Sequence, residues 1–342
     1  MKKFLRRSFF AALMAATLTP AVAADLALYA GADRQARLLE AAKKEGEVSV
    51  YYIFPGFNAV TTGFTKKYGI KVRFWRAGSE AVLQRVVSEA RATRFDVDVI
   101  QNSAQENEAL HREKLLQAVR SPYFGELRPE AVPAHREWVG SKINVFIMAY
   151  NTALIKKDDL PKNYQDFLNP KWKGHLGIEG NNHHWFGTLT QALGEQEALK
   201  LFDAIVATNG ISIRKGHSLL TQLVASQEVP LAMTVYDWNI DPLKQKGAPI
   251  DGFTLQPTVA QFDTVAVAKR APNHNAALLF YDYVISEEGQ NLIAGTGAIS
   301  TLKKFDSPYT RQALLFVDPG KAIDMNDTWK KTWDDLIVKR SR

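Results

Sequence analysis

The chain of 342 residues contains no cysteine. It can therefore form no disulfide, hold no metal through thiolates and use no cysteine nucleophile. A chain of this length buries enough apolar surface to fold without covalent cross-links. Because no cysteine follows the N-terminal segment, a lipid-anchored protein is not expected either.

Several other features are missing. Beyond the N-terminal segment, no apolar run approaches the roughly 20 residues that span a bilayer. Neither a G-x-S-x-G elbow nor an H-E-x-x-H helix occurs, which leaves an exported hydrolase that uses His183 or His184 with Asp237 as a minor alternative. Lysine and arginine do not cluster among aromatic residues, so no nucleic-acid partner is expected.

The N-terminus has the features of an export signal. A basic start precedes the apolar run Phe9–Leu18, and Ala21-Val22-Ala23 matches an A-x-A cleavage pattern. Cleavage near Ala23 removes residues 1–23, lowers the formal net charge from +7 to +3 and leaves 319 residues, a length that suits two domains. The pair Arg6-Arg7 also resembles a twin-arginine signal, so the export route stays open. We expect a periplasmic protein of a Gram-negative-type cell.

Strand and helix patterns alternate in the first third of the chain. Helices are predicted at 34–45, at 59–68 and from Ser79 onward, and strands at 48–53, 70–75 and 97–100. Such alternation favours a parallel sheet, whose ligands bind beyond the carboxyl ends of the strands. The loops 54–57, 76–80 and 101–103 are therefore candidate site segments.

The segment 271–294, APNHNAALLFYDYVISEEGQNLIA, predicts two consecutive helices. Apolar residues recur at i, i+3, i+4, i+7 and i+8 on one face of the first helix: Ala276, Leu279, Phe280, Tyr283 and Val284. Ser286 suits the cap of the second helix, and the two glutamates that follow it suit the positive end of the helix dipole.

The wording of this segment resembles the C-terminal region of bacterial solute-binding proteins of ABC importers, in particular the ferric-iron-type family. Three further segments resemble the same family in the expected order: GADRQARLLEAAKKEGEVSVYY at 31–52, NYQDFLNPKWKGHLGI at 163–178 and LVASQEVPLAMTVYDWNIDPLKQKGAPIDG at 223–252.

The resemblance implies an α/β, two-lobed periplasmic binding protein fold of type II, with two crossing strands as the hinge and the ligand cleft between the lobes. Residues 143–150 and 264–268 match the crossing strands. The first lobe is then discontinuous, 24–146 plus 261–342, and the second lobe is 147–260. Residues 329–342 are expected to form a closing helix.

The resemblance also implies a function. The chain is expected to be the periplasmic substrate-binding component of an ABC transporter, which captures a small-molecule ligand by hinge closure and delivers it to an inner-membrane permease. It is expected to be a monomer, to need no cofactor and not to be an enzyme. A sensor coupled to a chemoreceptor is an alternative with the same binding chemistry.

Candidate ligand-binding residues in the first lobe follow the strand ends. Phe54 lies in the loop after the first strand. Gly78, Ser79 and Glu80 open a helix, where free N–H groups attract anions or simply need a cap. Asn102 lies in the segment after the third predicted strand. Glu80 also matches, by resemblance, a metal-ligating carboxylate of the iron-binding relatives.

Candidate residues in the second lobe form two groups. Asn182, His183 and Trp185 belong to the polar and aromatic run NNHHWFG, and Tyr236, Asp237 and Trp238 follow an apolar strand: these six residues complete the predicted site. By resemblance, adjacent tyrosines bind Fe(III) in the 236 region, but this chain has Asp237 after Tyr236. The pair Tyr51-Tyr52 cannot chelate, because strand alternation points its rings to opposite faces.

The identity of the ligand stays open between three classes. Ferric iron would use Glu80 and Tyr236. An organic cation would use the aromatic side chains with Glu80, Asp237 and Asp263. An organic anion, such as a phosphonate, would use Arg76 and the polar residues Ser79, Asn102, Asn182 and His183. Because the tyrosine pair is missing, the sequence favours an organic solute, and no metal ligand is assigned.

Overall fold

The computed structural model describes residues 26–340, so the predicted signal peptide lies outside the described residues. Twelve strands are present in this range: β1 (Glu47–Tyr52), β2 (Lys71–Arg76), β3 (Val99–Ser103), β4 (Leu116–Gln117), β5 (Trp138–Asn151), β6 (Leu176–Glu179), β7 (Ser212–Arg214), β8 (Leu231–Tyr236), β9 (Ile250–Phe253), β10 (Thr258–Ala268), β11 (Ile299–Ser300) and β12 (Leu314–Phe316).

The same range contains twelve α-helices: α1 (Arg34–Glu45), α2 (Asn58–Tyr68), α3 (Ser79–Arg91), α4 (Ala104–Arg112), α5 (His183–Leu193), α6 (Glu195–Asn209), α7 (His217–Ala225), α8 (Asp241–Gln245), α9 (His274–Ile285), α10 (Glu287–Ala294), α11 (Pro319–Asp324) and α12 (Asn326–Trp333). Among the residues described, no helix combines the length and apolar character that a membrane crossing needs.

The first lobe forms as its strand and helix pattern predicts. Strand β1 pairs in parallel with both β2 and β3. Helices α1 and α2 each end at a glycine in the left-handed conformation, Gly46 with φ 77° and Gly69 with φ 71°. Glycine at this position leaves the chain free to turn back into the next strand.

Two long strands connect the lobes, which confirms the expected fold class. Strand β5 pairs with β10 through residues 138–145 and then with β8 and β9 through residues 146–151. All 14 residues of β5 are buried, as expected for a strand covered on both faces. The return strand β10 begins at Thr258, six residues before the predicted start. The floor between the lobes therefore consists of β5 and β10.

The second lobe is built on a sheet in which β6 pairs in parallel with β7 and β8. Its core is rich in aromatic rings, among them Phe186, which lies 5.0 Å from Phe202 and 5.3 Å from Trp333 between ring centroids. Residues at or after the ends of β6 and β8 line the same cavity as residues after β1, so both lobes present loops and helix starts to one space.

Helix α9 is buried on all sides. The sequence predicts one apolar face, but ten of its residues, from Ala276 to Ile285, are buried. Ser286 caps α10 as predicted, because its Oγ accepts from the Gly289 N–H at 3.3 Å. The single acidic residue of α9, Asp282, is paired with buried Arg34 of α1. Helix α9 is thus the central support of the first lobe.

The C-terminal residues return to the second lobe. Trp329, Trp333 and Ile337 belong to its apolar core, and Trp333 Nε1 donates to Gly180 O at 2.7 Å. Trp329 packs so closely on α5 that a Cβ at Gly187 would lie 2.1 Å from its ring. The structure therefore differs from the sequence-based boundary, which placed every residue from 261 onward in the first lobe. Two large apolar rings need a buried partner, and α5 supplies it.

Candidate functional site

A cleft of about 410 Å³ lies between the lobes above β5 and β10. This volume suits a small organic molecule. The wall residues come from both lobes and from the floor strands: Ile53, Phe54, Pro55, Ser79, Ser103, Gln105, Glu106, Lys142, Asn144, Phe146, Glu179, Asn181, Asn182, His184, Trp185, His217, Tyr236, Trp238, Gln261 and Asp263.

Aromatic rings from opposite lobes meet across the cleft. Phe54 follows β1 in the first lobe, and Trp238 follows β8 in the second, with an edge-on contact of 6.3 Å between ring centroids. Tyr236 stacks beside Trp238 at 5.9 Å with nearly parallel planes. Such rings provide flat apolar surface at a low cost in side-chain entropy.

Lys142 is the buried cation of the cleft floor. Its Nζ is hydrogen-bonded to Asn144 Oδ1 and lies 3.4 Å from Asp263 Oδ2. The ammonium also lies 4.6 Å from the ring centroid of Phe54 and 5.6 Å from that of Trp238. A buried charge needs such compensation, and this lysine receives it from a carboxylate, an amide oxygen and two aromatic rings.

Strand geometry explains how the floor presents polar groups. Lys142, Asn144 and Phe146 alternate along β5 and so face the cleft together. Asn144 connects the floor to both sides, because its Nδ2 donates to Asp263 Oδ1 at 2.8 Å and its Oδ1 accepts from Trp238 Nε1 at 3.1 Å. The floor is therefore a single hydrogen-bonded unit.

Tyr236 and Asp237 point in different directions. The Tyr236 hydroxyl accepts from Gln261 Nε2 at 2.8 Å on the cleft side. Asp237 lies behind the wall, where its Oδ1 accepts from the Val145 N–H of the crossing strand at 2.8 Å. Burial raises the pKa of the Asp237 carboxyl to about 7, and the charge of Lys142 partly opposes the shift. Asp237 thus fixes the hinge strand and does not line the cleft.

Side-chain hydroxyl, amide and carboxyl groups connected by hydrogen bonds form the first-lobe wall. Ser79 Oγ donates to Asn102 Oδ1 at 2.5 Å and lies 2.9 Å from Ser103 Oγ. Ser103 in turn donates to Glu106 in the first turn of α4. Desolvation by burial raises the pKa of Glu106. The sequence predicts a helix from Ser79 onward, and Ser79 is the first residue of α3, with Gly78 at the N-cap.

The second-lobe wall begins at the end of β6. Glu179 accepts from two backbone N–H groups, that of Asn181 at 2.7 Å and that of Gly216 at 3.1 Å. Asn182 Nδ2 donates to Thr234 Oγ1 at 2.6 Å, which fixes the start of α5. These hydrogen bonds hold the loop between β6 and α5 in place against the sheet.

The paired histidines lie against the C-terminal helix. His183 Nε2 and His184 Nε2 lie 3.1 Å and 3.2 Å from the same atom, Asn326 Oδ1. Burial lowers the pKa of His184 to about 4, so its imidazole is neutral at physiological pH. Only His184 reaches the cleft wall. Because Asp237 is engaged with Val145, no His–Asp pair for hydrolysis forms here.

His217 at the start of α7 completes the second-lobe wall and was not predicted. Its ring lies 4.1 Å from that of Tyr236 and 6.0 Å from that of Phe146, between centroids. Burial lowers the pKa of His217 to about 4. Its Nδ1 is buried without a hydrogen-bond partner among the described residues. The imidazole is therefore a neutral part of the wall with one unpartnered ring nitrogen.

The structure brings six of the predicted site residues together in the cleft wall: Phe54, Ser79, Asn182, Trp185, Tyr236 and Trp238. The other five lie elsewhere. Gly78 and Glu80 are exposed, and Glu80 accepts from Gln84 on its own helix. Asn102 is buried below Ser79, and His183 and Asp237 contact Asn326 and Val145. Asn102 and Asp237 therefore act by positioning other groups.

Sequence reasoning missed Lys142, Asn144, Glu106, Glu179 and His217. One signal was available for the first two: polar residues at alternate positions in an otherwise apolar strand have to face either a partner or a ligand. Glu179 directly ends β6, the position where α/β sheets bind ligands. For Glu106 and His217 the sequence offers no comparable signal. Each lies in the first turn of a helix, at a position that does not by itself indicate ligand contact.

One cluster of metal-ligating residue types occurs among residues 26–340, and it lies outside the cleft: Glu108, His111 and His135. His135 Nδ1 accepts from the Glu137 N–H at 3.0 Å, so in the neutral ring its Nε2 carries the proton and points to Glu108 Oε2 at 3.4 Å. A ring held in this tautomer offers no free lone pair to a metal. The cluster is therefore satisfied by its own hydrogen bonds.

Comparison with known proteins places this geometry in context. A family model described as bacterial extracellular solute-binding protein matches residues 59–316. Iron uptake protein A1 of Synechocystis is 24% identical over 312 residues, which cover 86% of each chain. The Fe(3+)-binding periplasmic protein of Serratia marcescens is 27% identical over 277 residues, which cover 74% of this chain and 81% of that protein.

Solved structures share the same architecture. Iron-bound HitA from Pseudomonas aeruginosa superposes with a TM-score of 0.72 at 20% identity and covers 84% of this chain and 99% of its own. AfuA from Actinobacillus pleuropneumoniae, with fructose-6-phosphate bound, superposes with a TM-score of 0.71 at 24% identity and covers 86% of this chain and 99% of its own. At these identities the likeness concerns the fold.

Proposed function

The chain belongs to the bacterial extracellular solute-binding proteins, and we propose that it captures a small organic solute in the cleft and delivers it to an inner-membrane ABC permease. The match over residues 59–316 agrees with the family that four sequence segments indicate. Members of this family are binding proteins, and the relatives named above are periplasmic or iron-uptake proteins. In this proposal the chain is exported, acts as a monomer and transforms nothing.

The observation that carries the proposal is the contact of both lobes with one cleft whose floor is the pair of crossing strands. Phe54 and Ser79 come from the first lobe, and Glu179 and Trp238 come from the second. A ligand that touches both walls stabilises the closed arrangement of the lobes. Exclusion of water then strengthens each polar contact with the ligand.

An organic solute is favoured by the aromatic pair of the cleft. The rings of Phe54 and Trp238 face the cleft from opposite lobes, and Tyr236 extends the flat surface. Apolar walls with a few placed polar groups are typical of sites for organic ligands. The AfuA structure, whose bound ligand is fructose-6-phosphate, agrees with an organic ligand in this fold.

Ferric iron is the second candidate, because the relatives from Synechocystis and Serratia marcescens are named for iron. Of the two residues that match the iron pattern, Tyr236 lines the cleft but Glu80 is exposed on α3. Within residues 26–340, no trio of His, Asp or Glu ligand atoms lies within 4.8 Å of one another in the cleft. A tyrosine without its neighbour makes a poor Fe(III) chelate.

A thermal-shift screen of the purified protein tests the proposal. An organic panel of amines, amino acids, phosphonates and sugar phosphates is compared with ferric citrate. A ligand at 100 times its dissociation constant stabilises the folded state by about 2.7 kcal/mol. Stabilisation by an organic compound is expected. Stabilisation by ferric citrate alone, with a visible phenolate-to-iron absorption band, would contradict it.

Variants connect binding to the cleft. Trp238→Ala is expected to weaken binding of the organic ligand at least tenfold, because it removes an aromatic wall and a hydrogen bond to Asn144. The matched control is Phe74→Ala, since Phe74 is an aromatic residue on β2 that is 57% exposed and outside the cleft. Equal effects of the two changes would place the ligand elsewhere.

Closure and delivery need separate measurements. Small-angle scattering is expected to give a smaller radius of gyration with the ligand than without it, and an unchanged radius for a tightly bound ligand would argue against closure. A deletion strain is expected to lose uptake of the ligand. Intact uptake with lost chemotaxis would instead support the receptor-coupled sensor.

A further inference from the structure

The cleft carries an excess of negative charge. Three carboxylates line it, Glu106, Glu179 and Asp263, against the single ammonium of Lys142. Among the described residues of the wall there is no arginine. The two wall histidines add no charge, because burial lowers the pKa values of both His184 and His217 to about 4. An anionic ligand would meet repulsion from most of the charged groups around it.

The wall's hydrogen-bond donors are largely engaged with the protein. Asn144, Trp238 and Gln261 each donate to a side-chain oxygen of the floor or wall. Ser79 donates to Asn102, and Ser103 donates to Glu106. Lys142 already donates to Asn144 Oδ1 and forms an ion pair with Asp263. A ligand that brings only acceptors would have to break these bonds before it gained new ones.

The carboxylates keep acceptor capacity. An ionised carboxylate offers about four lone-pair positions. Glu179 receives one backbone N–H on each oxygen, and Glu106 receives the Ser103 hydroxyl. Both side chains can therefore accept further hydrogen bonds from a ligand. A donor-rich ligand suits this wall better than an acceptor-rich one.

Carboxylates of both lobes line the cleft together with Tyr236. The pKa of the Tyr236 phenol is raised by burial first and then by four carboxylates: Asp263, Glu179, Asp237 and Glu106. Glu106 belongs to the first lobe, at the start of α4, and Glu179 belongs to the second lobe, at the end of β6. A positive charge that enters between them would favour the ionised form of Glu106, whose pKa is raised by burial, and would pair with carboxylates of both lobes.

We infer that the solute is an organic cation whose primary ammonium or guanidinium group lies between Glu106 and Glu179, with its hydrocarbon part against Phe54, Tyr236 and Trp238. This inference rests on the proposed function. The N–H groups of the ligand donate to carboxylates of both lobes, so the bound charge connects the two lobes. Closure is then driven by charge, and the aromatic walls select the shape of the solute.

Compounds of matched length and different charge test the inference by thermal shift and calorimetry. The probes are butane-1,4-diamine, agmatine and a panel of other primary amines and guanidines, against succinate, fructose 6-phosphate, butane-1,4-diol and ferric citrate. Binding of at least one amine or guanidine is expected, with succinate and the diol inactive. Failure of every amine and guanidine would overturn the inference.

The other compounds distinguish failure of this inference from failure of the proposed function. Binding of succinate or of the sugar phosphate without any amine would overturn the inference and leave the proposed function intact. Binding of ferric citrate alone would overturn both. Tetramethylammonium, a cation without N–H groups, is expected to bind at least tenfold more weakly than the amine that binds, since it cannot donate to the carboxylates.

Three variants locate the charge. Glu106→Gln and Glu179→Gln are each expected to weaken binding of the amine at least tenfold. Lys142→Met removes the only ammonium of the wall and is expected to tighten amine binding, since it frees Asp263 to accept from the ligand. The matched control is Glu195→Gln, an exposed carboxylate on α6. Loss of binding in Lys142→Met with no loss in the two glutamate variants would overturn the inference, and the melting temperature without ligand reports whether each variant folds.

Discussion

Helix α9 and the cleft differ in what their buried side chains contact. Helix α9 has ten buried residues in a row, and its apolar side chains pack on neighbouring apolar side chains. The cleft floor buries Lys142, Asn144 and Asp263, each held by hydrogen bonds or an ion pair. The packing of α9 is compatible with any ligand, whereas the side chains of the cleft determine which ligand binds. The segment that contains α9 therefore indicates the family but carries little information about the identity of the ligand.

The largest expected effect concerns the packed helix. Phe280→Ala removes a fully buried ring that lies 4.9 Å from Phe64 and 6.0 Å from Phe57, between centroids. We expect the free energy of unfolding to fall by about 3–5 kcal/mol in urea titrations. Ligand affinity of the folded fraction should not change, and an affinity loss above tenfold would show that α9 and the cleft are coupled. Phe74→Ala serves as the exposed control.

The next effect comes from Asp237, which lies behind the cleft wall and affects stability. In the folded protein the Asp237 pKa of about 7 lies above its ordinary value of 3.8. The folded state therefore holds a proton that the unfolded chain has released, so the contribution of Asp237 to stability is full below about pH 4 and is lost as the pH rises to 7. Asp237→Asn keeps an acceptor for the Val145 N–H but carries no charge.

We expect Asp237→Asn to match the wild type in stability near pH 4 and to exceed it by up to about 4 kcal/mol at pH 8. Urea unfolding at five pH values between 4 and 8 measures the difference. Parallel stability curves for the two proteins would show that the Asp237 carboxyl titrates normally.

A smaller effect is expected at the wall itself. Tyr236→Phe removes the oxygen that accepts from Gln261 Nε2, which should lower the free energy of unfolding by about 1–2 kcal/mol. Gln261→Leu removes the other partner. In a double-mutant cycle the combined change should cost less than the sum of the single changes, because neither group is then left unpaired. Strict additivity would mean that the two groups do not interact.

The smallest effect is expected at Glu80. It is exposed, and its side chain accepts from Gln84 on the same helix. Glu80→Gln should change the free energy of unfolding by less than about 0.5 kcal/mol and leave ligand binding unaltered. A tenfold loss of binding would restore the ligand role that the iron-binding relatives suggest for this position.

Much of the fold follows from the sequence, and part of the site does. Helix α1 was predicted to the residue, and residues 143–150 of β5 were expected to be a crossing strand because of the resemblance to the family. Geometry within elements decided the rest. Successive residues of a helix point about 100° apart, so Ser79 faces the cleft and Glu80 does not. Tyr236 and Asp237 also point in different directions, because successive side chains at the end of a strand face opposite sides of the sheet.

The floor was the least predictable part of the site. Lys142 lies in the half of β5 that pairs with β10, and its role depends on Asp263 across that pairing. Phe54 and Trp238, which also contact this lysine, come from opposite lobes. Contacts between residues roughly 100 positions apart leave no local pattern in a sequence. The aromatic residues were found because they follow strand ends, and the charge they enclose was not.

The return of residues 317–338 to the second lobe means that one apolar core depends on two segments that are far apart in the chain. Trp329 fills the space above Gly187, and Trp333 closes the aromatic core around Phe186. Without this segment the second lobe would expose the apolar surface of α5 around Phe186 and Gly187, so its core is complete only when two segments that are far apart in the chain have met.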